Sequence, residues 1–158
     1  MKREYLNKVN GLVKGLLPFS LFTLLPFVAS CTLEMSDNGK LDGFWQLQEM
    51  DTISTGGKVD MRDSLFFWAV QKDLLEIKNP EGDIAKNIVF RFEHMGDSLF
   101  LTEPYFSDRD SSDIKINDPA VLNRYGIYHI REAFFVTNLT SSRLELKSDR
   151  FNFHFRKY

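Results

Sequence analysis

From Leu41 to Tyr158 the chain is cut into short runs of apolar and polar residues, and nearly every run ends in a brief turn signal. Runs of this length with a period of two are half-buried β-strands, because successive side chains point to opposite faces. Short polar connections favour pairing between consecutive strands, and a meander of such pairs removes its free edges by closing on itself. This cadence constrains the fold more than any single motif does.

The first run is Leu41-Asp42-Gly43-Phe44-Trp45-Gln46-Leu47-Gln48-Glu49-Met50. Gly43 permits a tight turn with no Cβ in the way. Strand alternation puts Trp45, Leu47 and Glu49 on one face and Phe44, Gln46, Gln48 and Met50 on the other. Ser54-Thr55-Gly56-Gly57-Lys58 is a loop by composition. Asp63 to Gln71 is aromatic and β-branched with apolar residues on both parities, as in a strand covered on both faces. Leu74 to Lys78 ends at the turn Asn79-Pro80-Glu81-Gly82. In Asn87 to His94 the residues Ile88, Phe90 and Phe92 share a face, and Met95-Gly96-Asp97 turns the chain into Ser98 to Thr102. Residues 104–117 are the least regular. Asp118-Pro119 then reads as N-cap and first position of a short helix through Ala120 to Arg124, capped by Gly126. Three strands close the chain: Phe134 to Leu139, Arg143 to Lys147 and Phe151 to Arg156. The reading is all-β: an eight-stranded antiparallel up-and-down barrel with one short helix.

A different kind of segment precedes this domain. Residues 1–14 are basic and polar, and Leu16 to Ala29 form an apolar run interrupted by Pro18 and Pro26. The run is too short to span a bilayer, which takes about 20 residues, and it fits a secretory signal. It ends in Val28-Ala29-Ser30-Cys31, which resembles the bacterial lipobox. That resemblance implies cleavage before Cys31 and lipidation of its thiol. Anchoring by several acyl chains is stable, at about 0.8 kcal/mol per buried methylene. Thr32 follows the cysteine, and the resemblance then implies the outer membrane. The expected organisation is a signal peptide over 1–30, a flexible tether over 31–40 and the barrel domain over 41–158.

Charge and residue chemistry narrow the function. The full chain carries a formal net charge of −2, and the leader holds Lys2, Arg3, Lys8 and Lys14 against Glu4, so the remainder is more acidic still. An acidic domain is a poor partner for nucleic acid. Cys31 is the only cysteine, so neither an intrachain disulfide nor a thiolate metal cluster can form. His94, His129 and His154 are scattered without ligand spacing, and Asp108, Asp110 and Asp113 lack the glycine and terminal glutamate of a calcium loop. No nucleophile elbow, phosphate loop or carboxylate pair stands out. The sequence therefore predicts neither an enzyme, nor a metal site, nor a cofactor.

Leu41-Asp42-Gly43-Phe44-Trp45 resembles the Gly-X-Trp signature that opens lipocalin and related calycin barrels. With Asp63 to Ile77 and Leu139 to Tyr158, the chain is similar to small lipocalin-like lipoproteins of Gram-negative anaerobes. Its helix falls before the last strands, whereas lipocalins usually carry theirs after them. The resemblance implies that Gly43 and Trp45 close one end of the barrel, with an arginine near the last strand over the tryptophan. Arg156 is the candidate and Arg150 the runner-up. Arg156 has the opposite parity to Phe151, Phe153 and Phe155, so a bulge is needed to turn it inward. A barrel of this size is either filled by its own side chains or holds one small ligand. Candidate lining residues are Trp45, Leu47, Phe67, Phe90, Phe92, Phe100, Phe153 and Phe155. Glu49 stands either in the lumen near the open end or at the wet rim. The expected role is a membrane-anchored protein that binds a small apolar ligand or a partner; the alternative is an interaction lipoprotein with a filled barrel.

Overall fold

A computed structural model describes residues 36–78, 87–107 and 112–158. The leader, Cys31, the turn at Asn79 to Gly82 and the acidic residues Asp108 and Asp110 lie outside the described residues.

Ten strands occur among the described residues. They are β1 (Gly43–Thr52), β2 (Lys58–Asp60), β3 (Phe67–Gln71), β4 (Leu74–Lys78), β5 (Asn87–Met95), β6 (Ser98–Ser107), β7 (Ile114–Lys115), β8 (Glu132–Leu139), β9 (Arg143–Lys147) and β10 (Phe151–Lys157). The order β10-β9-β8-β6-β5-β4-β3-β1 is a continuous antiparallel meander, and a further pairing of β10 with β1 closes it into a ring. The short β2 and β7 lie off this circuit, on β1 and β6. The ring thus uses the eight strands that the sequence cadence predicts, and the two extra ones are too short to leave a periodic signal.

Alternation decides what lies inside. Ile88, Phe90 and Phe92 of β5 are buried, as are Leu144 and Leu146 of β9 and Phe153 and Phe155 of β10. In the predicted strand Asp63 to Gln71 the ladder begins at Phe67, with Phe66 O still accepting from the Leu47 N–H at 2.9 Å; Phe66 and Trp68 point inward and Phe67 outward. β6 runs on past its predicted end at Thr102, through Pro104 to Ser107. Glu103 adopts φ 49°, and the β5–β6 register slips between Val89 and Arg91. A proline inside a strand is tolerated at such an irregularity.

The helix forms where capping chemistry places it, but as a 3-10 helix over Pro119–Tyr125. The Ala120 N–H donates to Asp118 Oδ1 at 2.9 Å, and Gly126 takes the left-handed φ of 75° at the other end. Leu122, Tyr125 and Ile127 are buried, and Tyr125 packs on Phe66 with ring centres 5.9 Å apart. A Cβ on Gly126 would meet Phe153 Cζ at 2.9 Å and Met50 Sδ at 3.5 Å. The helix therefore lies over the interior toward the C-terminal end of β1, opposite Gly43.

Candidate functional site

At the Gly43 end, Trp45 is fully buried and its Nε1 donates to Leu41 O at 2.7 Å. Arg156 does not cover it. Arg156 is exposed and pairs across from Gln46, because β10 keeps its alternation up to this point and no bulge turns the side chain inward. Arg150 is no substitute: it stacks over Tyr128 at 4.1 Å. The cation over Trp45 is Lys157, one residue further on, whose Nζ stands 4.8 Å from the ring centre. That nitrogen also donates to Lys40 O at 3.1 Å. Gly43 leaves room for the lysine stem.

In the interior, Trp45, Leu47, Phe90, Phe92, Phe153 and Phe155 are buried where alternation puts them. Phe67 and Phe100 are corrections. Phe67 lies on the outer face, stacked on Phe44 at 4.6 Å with Tyr158 edge-on to both. Phe100 sits beneath the guanidinium of Arg131 at 4.9 Å, between the inward Leu99 and Leu101. Each is an apolar residue on the outer parity that other side chains cover, which alternation alone does not separate from core. The inner positions are filled by Trp68, Phe134 and their neighbours. Trp68 contacts Phe155 at 4.9 Å and Phe134 at 5.7 Å, and Phe134 contacts Phe153 at 5.6 Å, between ring centres. Trp68 Nε1, although buried, meets no hydrogen-bond acceptor among the described residues.

Of the two places open to Glu49, the structure excludes the lumen. The β1–β10 register shifts between Leu47 and Glu49, so Gln48 is an extra residue and parity reverses after it. A bulge of this kind re-aims every side chain downstream. Met50 turns inward against the core, and Glu49 turns outward. There Glu49 Oε1 accepts from Lys58 Nζ at 2.8 Å, while Asp51 Oδ2 lies 3.1 Å from His154 Nε2. Burial pushes the Asp51 carboxyl up, but the His154 hydrogen bond and the Lys58 ammonium outweigh it and hold it below the usual range. The Glu49 hydrogen bond and the Asp51 charge raise Lys58. Beside them Arg62 holds Asp60 down to about 2 through side-chain and backbone hydrogen bonds.

One buried carboxylate carries no sequence signal. Glu132, only 2% exposed, accepts the backbone N–H groups of Tyr128 and His129 at 2.8 and 3.0 Å. It anchors the segment that leads from the 3-10 helix into β8.

The lipocalin-like domain family has a sequence model that matches residues 24–158. The chain belongs to that family. A crystal structure of a lipocalin-like protein from Bacteroides uniformis ATCC 8492 superposes on the lipocalin-like domain with a TM-score of 0.59 at 21% identity, over 76% of this chain and 100% of that one. An uncharacterized protein from Bacteroides eggerthii DSM 20697 aligns at 23% identity over 74% of this chain and 98% of that one, with a TM-score of 0.48. No curated protein matches the chain. At 21% identity the likeness to the Bacteroides uniformis protein concerns fold alone, and the lipocalin-like ring seen here is that fold.

Among the described residues, two clefts of the lipocalin-like domain lie on its outside. One of about 370 Å³ runs over Ala69, Glu76 and Val89, which face each other on the outer side of β3, β4 and β5. Another, of about 450 Å³, lies beside it over Asp73, Arg91, Glu93 and Glu103. Both are open to solvent.

Proposed function

We propose that the chain is a lipid-anchored lipocalin-like protein of the outer membrane that engages a partner through its outer surface, its ring interior being filled by its own side chains. The observation that carries this reading is the aromatic cluster of Trp68, Phe134, Phe153 and Phe155, whose rings touch one another across the centre. Aromatic rings at such spacings are packed against each other and leave little room for a guest. The helix Pro119–Tyr125 over one end and Trp45 at the other support the same view. The outer surface offers open clefts and an aromatic group of Phe44, Phe67 and Tyr158. The role proposed is binding rather than catalysis.

The anchoring half of the proposal rests on sequence. Val28-Ala29-Ser30 before Cys31 is the supporting motif, and Thr32 favours the outer membrane. The acidic balance of the domain makes nucleic acid an unsuitable partner.

A second reading has one observation in its favour. Among the described residues the buried Trp68 Nε1 is a donor without an acceptor, and such a group calls for an explanation. A small apolar ligand with a carbonyl or carboxylate oxygen would satisfy it. Native mass spectrometry of the protein purified from its host separates the two readings. The first expects the mass of the chain and its lipid alone. A stoichiometric small molecule released on unfolding would overturn it in favour of the second.

A further inference from the structure

The bulge at Gln48 does more than spoil an alternation. It sets Glu49 directly across from His154, and Asp51 lies further along the same outer face of β1. One ligand atom from each of Glu49, Asp51 and His154 falls within 4.8 Å of the others. The three side chains come from two strands locked in register where the ring closes, so sheet rather than loop holds them. Were Gln48 paired as an ordinary strand residue, with no bulge, Glu49 would point into the core and the three could not converge.

An imidazole nitrogen and two carboxylate oxygens are a donor set for a divalent transition ion, and three protein ligands leave a position for water. Neighbouring donors on a tetrahedral zinc ion stand roughly 3.4 Å apart. The 3.1 Å between His154 Nε2 and Asp51 Oδ2 is already close to that spacing. Glu49, with its side chain 40% exposed, is free to close the remaining distance. Lys58 reaches into the same place from β2, with Nζ 2.8 Å from Glu49 Oε1 and 3.5 Å from Asp51 Oδ1. Its side chain is 62% exposed, so it can swing out into water. Asp60, opposite Glu49 on β2, is engaged by Arg62 and adds no competing ligand.

We infer that Glu49, Asp51 and His154 form a binding site for one divalent ion of the zinc class on the outer face of the ring, in which the Lys58 ammonium takes the place of the ion's charge. The inference is independent of what fills the interior. The rival account makes the same residues an ion-pair seam that only staples β1 to β10 and β2. The two differ in what happens when an ion is offered and Lys58 is removed.

The test uses tag-free purified protein, stripped with chelator and titrated with zinc chloride by calorimetry. One equivalent of zinc should bind saturably. His154→Gln and Asp51→Asn should each weaken it by at least about tenfold, the scale that loss of even an outer-shell partner commands. Lys58→Met should tighten it several-fold, and this exposed substitution does not threaten the fold. Failure to bind one equivalent, unchanged affinity in either ligand variant, or no gain in Lys58→Met would each overturn the inference. Should His154→Gln not fold, nitrogen NMR of the wild-type imidazoles decides. His154 must shift with zinc, and a shift confined to His94 or His129 would place the ion elsewhere and sink the proposal.

Discussion

Lys157 holds its ammonium 4.8 Å from the centre of the Trp45 ring, directly across the β1–β10 seam from it. The contact joins the last strand to the first at the point where the ring closes. A cation over a buried indole contributes on the order of 1 kcal/mol, and the lysine stem covers apolar surface besides. Lys157→Ala should therefore cost about 1–2 kcal/mol in urea unfolding. Gly43 belongs to the same unit, because an added Cβ would overlap Lys157 Cε and its φ of 130° is one that other residues rarely adopt. Gly43→Ala should destabilise too, and by less once Lys157 is already alanine. Strict additivity of the two would show that the overlap plays no part.

Trp45 is fully buried and its indole N–H is bonded to Leu41 O, so truncation removes both a large packed ring and a satisfied donor. Trp45→Ala should destabilise the domain by roughly 3–5 kcal/mol. Chemical denaturation followed by circular dichroism measures this, and a near-neutral result would mean that the ring closes without its tryptophan.

The strands were legible because two signals agree. Period-two alternation marks faces, and turn chemistry marks ends, as at Met95-Gly96-Asp97 between β5 and β6. The helix was legible from Asp118, Pro119 and Gly126, all capping residues. Errors arise where a local irregularity changes parity. The extra residue at Gln48 turns Glu49 outward and Met50 inward, and a bulge leaves no mark in an alternating sequence. Phe67 and Phe100 fail for another reason: each is covered on the outer face, by Phe44 and Tyr158 or by Arg131, so hydrophobicity does not reveal which side it takes. The cation over Trp45 shows alternation outperforming resemblance. The family pattern points to an arginine, whereas parity excludes Arg156 and leaves Lys157 on the inner register. The group of Glu49, Asp51 and His154 was out of reach, since His154 and Asp51 are 103 residues apart and meet only when the ring closes.

Glu132 accepts two backbone N–H groups from inside the fold, and a charge-assisted hydrogen bond is worth more than a neutral one. Glu132→Ala leaves the Tyr128 and His129 amides without their acceptor and should cost about 3 kcal/mol. Glu132→Gln keeps an oxygen in place and should cost about 1 kcal/mol. Thermal melts of the two variants check the order. Equal losses would show that volume, not acceptance, is what Glu132 supplies.

Cys31 tests the anchoring part of the proposed function. If its thiol carries the lipid, Cys31→Ser leaves no acylation site, and no other cysteine can take over. Fractionation of the host should find the wild-type protein in the membrane pellet and the variant in the soluble fraction or retained as precursor. A variant that is processed and still sediments with membranes would refute lipid attachment at this residue.

Asp60 supplies an acid-side test. Arg62 holds its carboxyl at about 2, against an ordinary value of 3.8, through side-chain and backbone hydrogen bonds. A carboxyl whose pKa is lower in the folded state releases its proton more readily there than in the unfolded chain. Its contribution is then fully present above the unfolded value and is lost as pH falls through the folded one. The window is therefore about pH 4 down to about 2. The pair is fully exposed, so the effect is small and salt-sensitive. Urea midpoints of the wild type should fall across this window, and the fall should be shallower in Asp60→Asn, with the difference shrinking in high salt. Asp51, also held low, should keep part of the slope in the variant. Identical slopes in the two proteins would mean that the Asp60–Arg62 contact does not persist in solution.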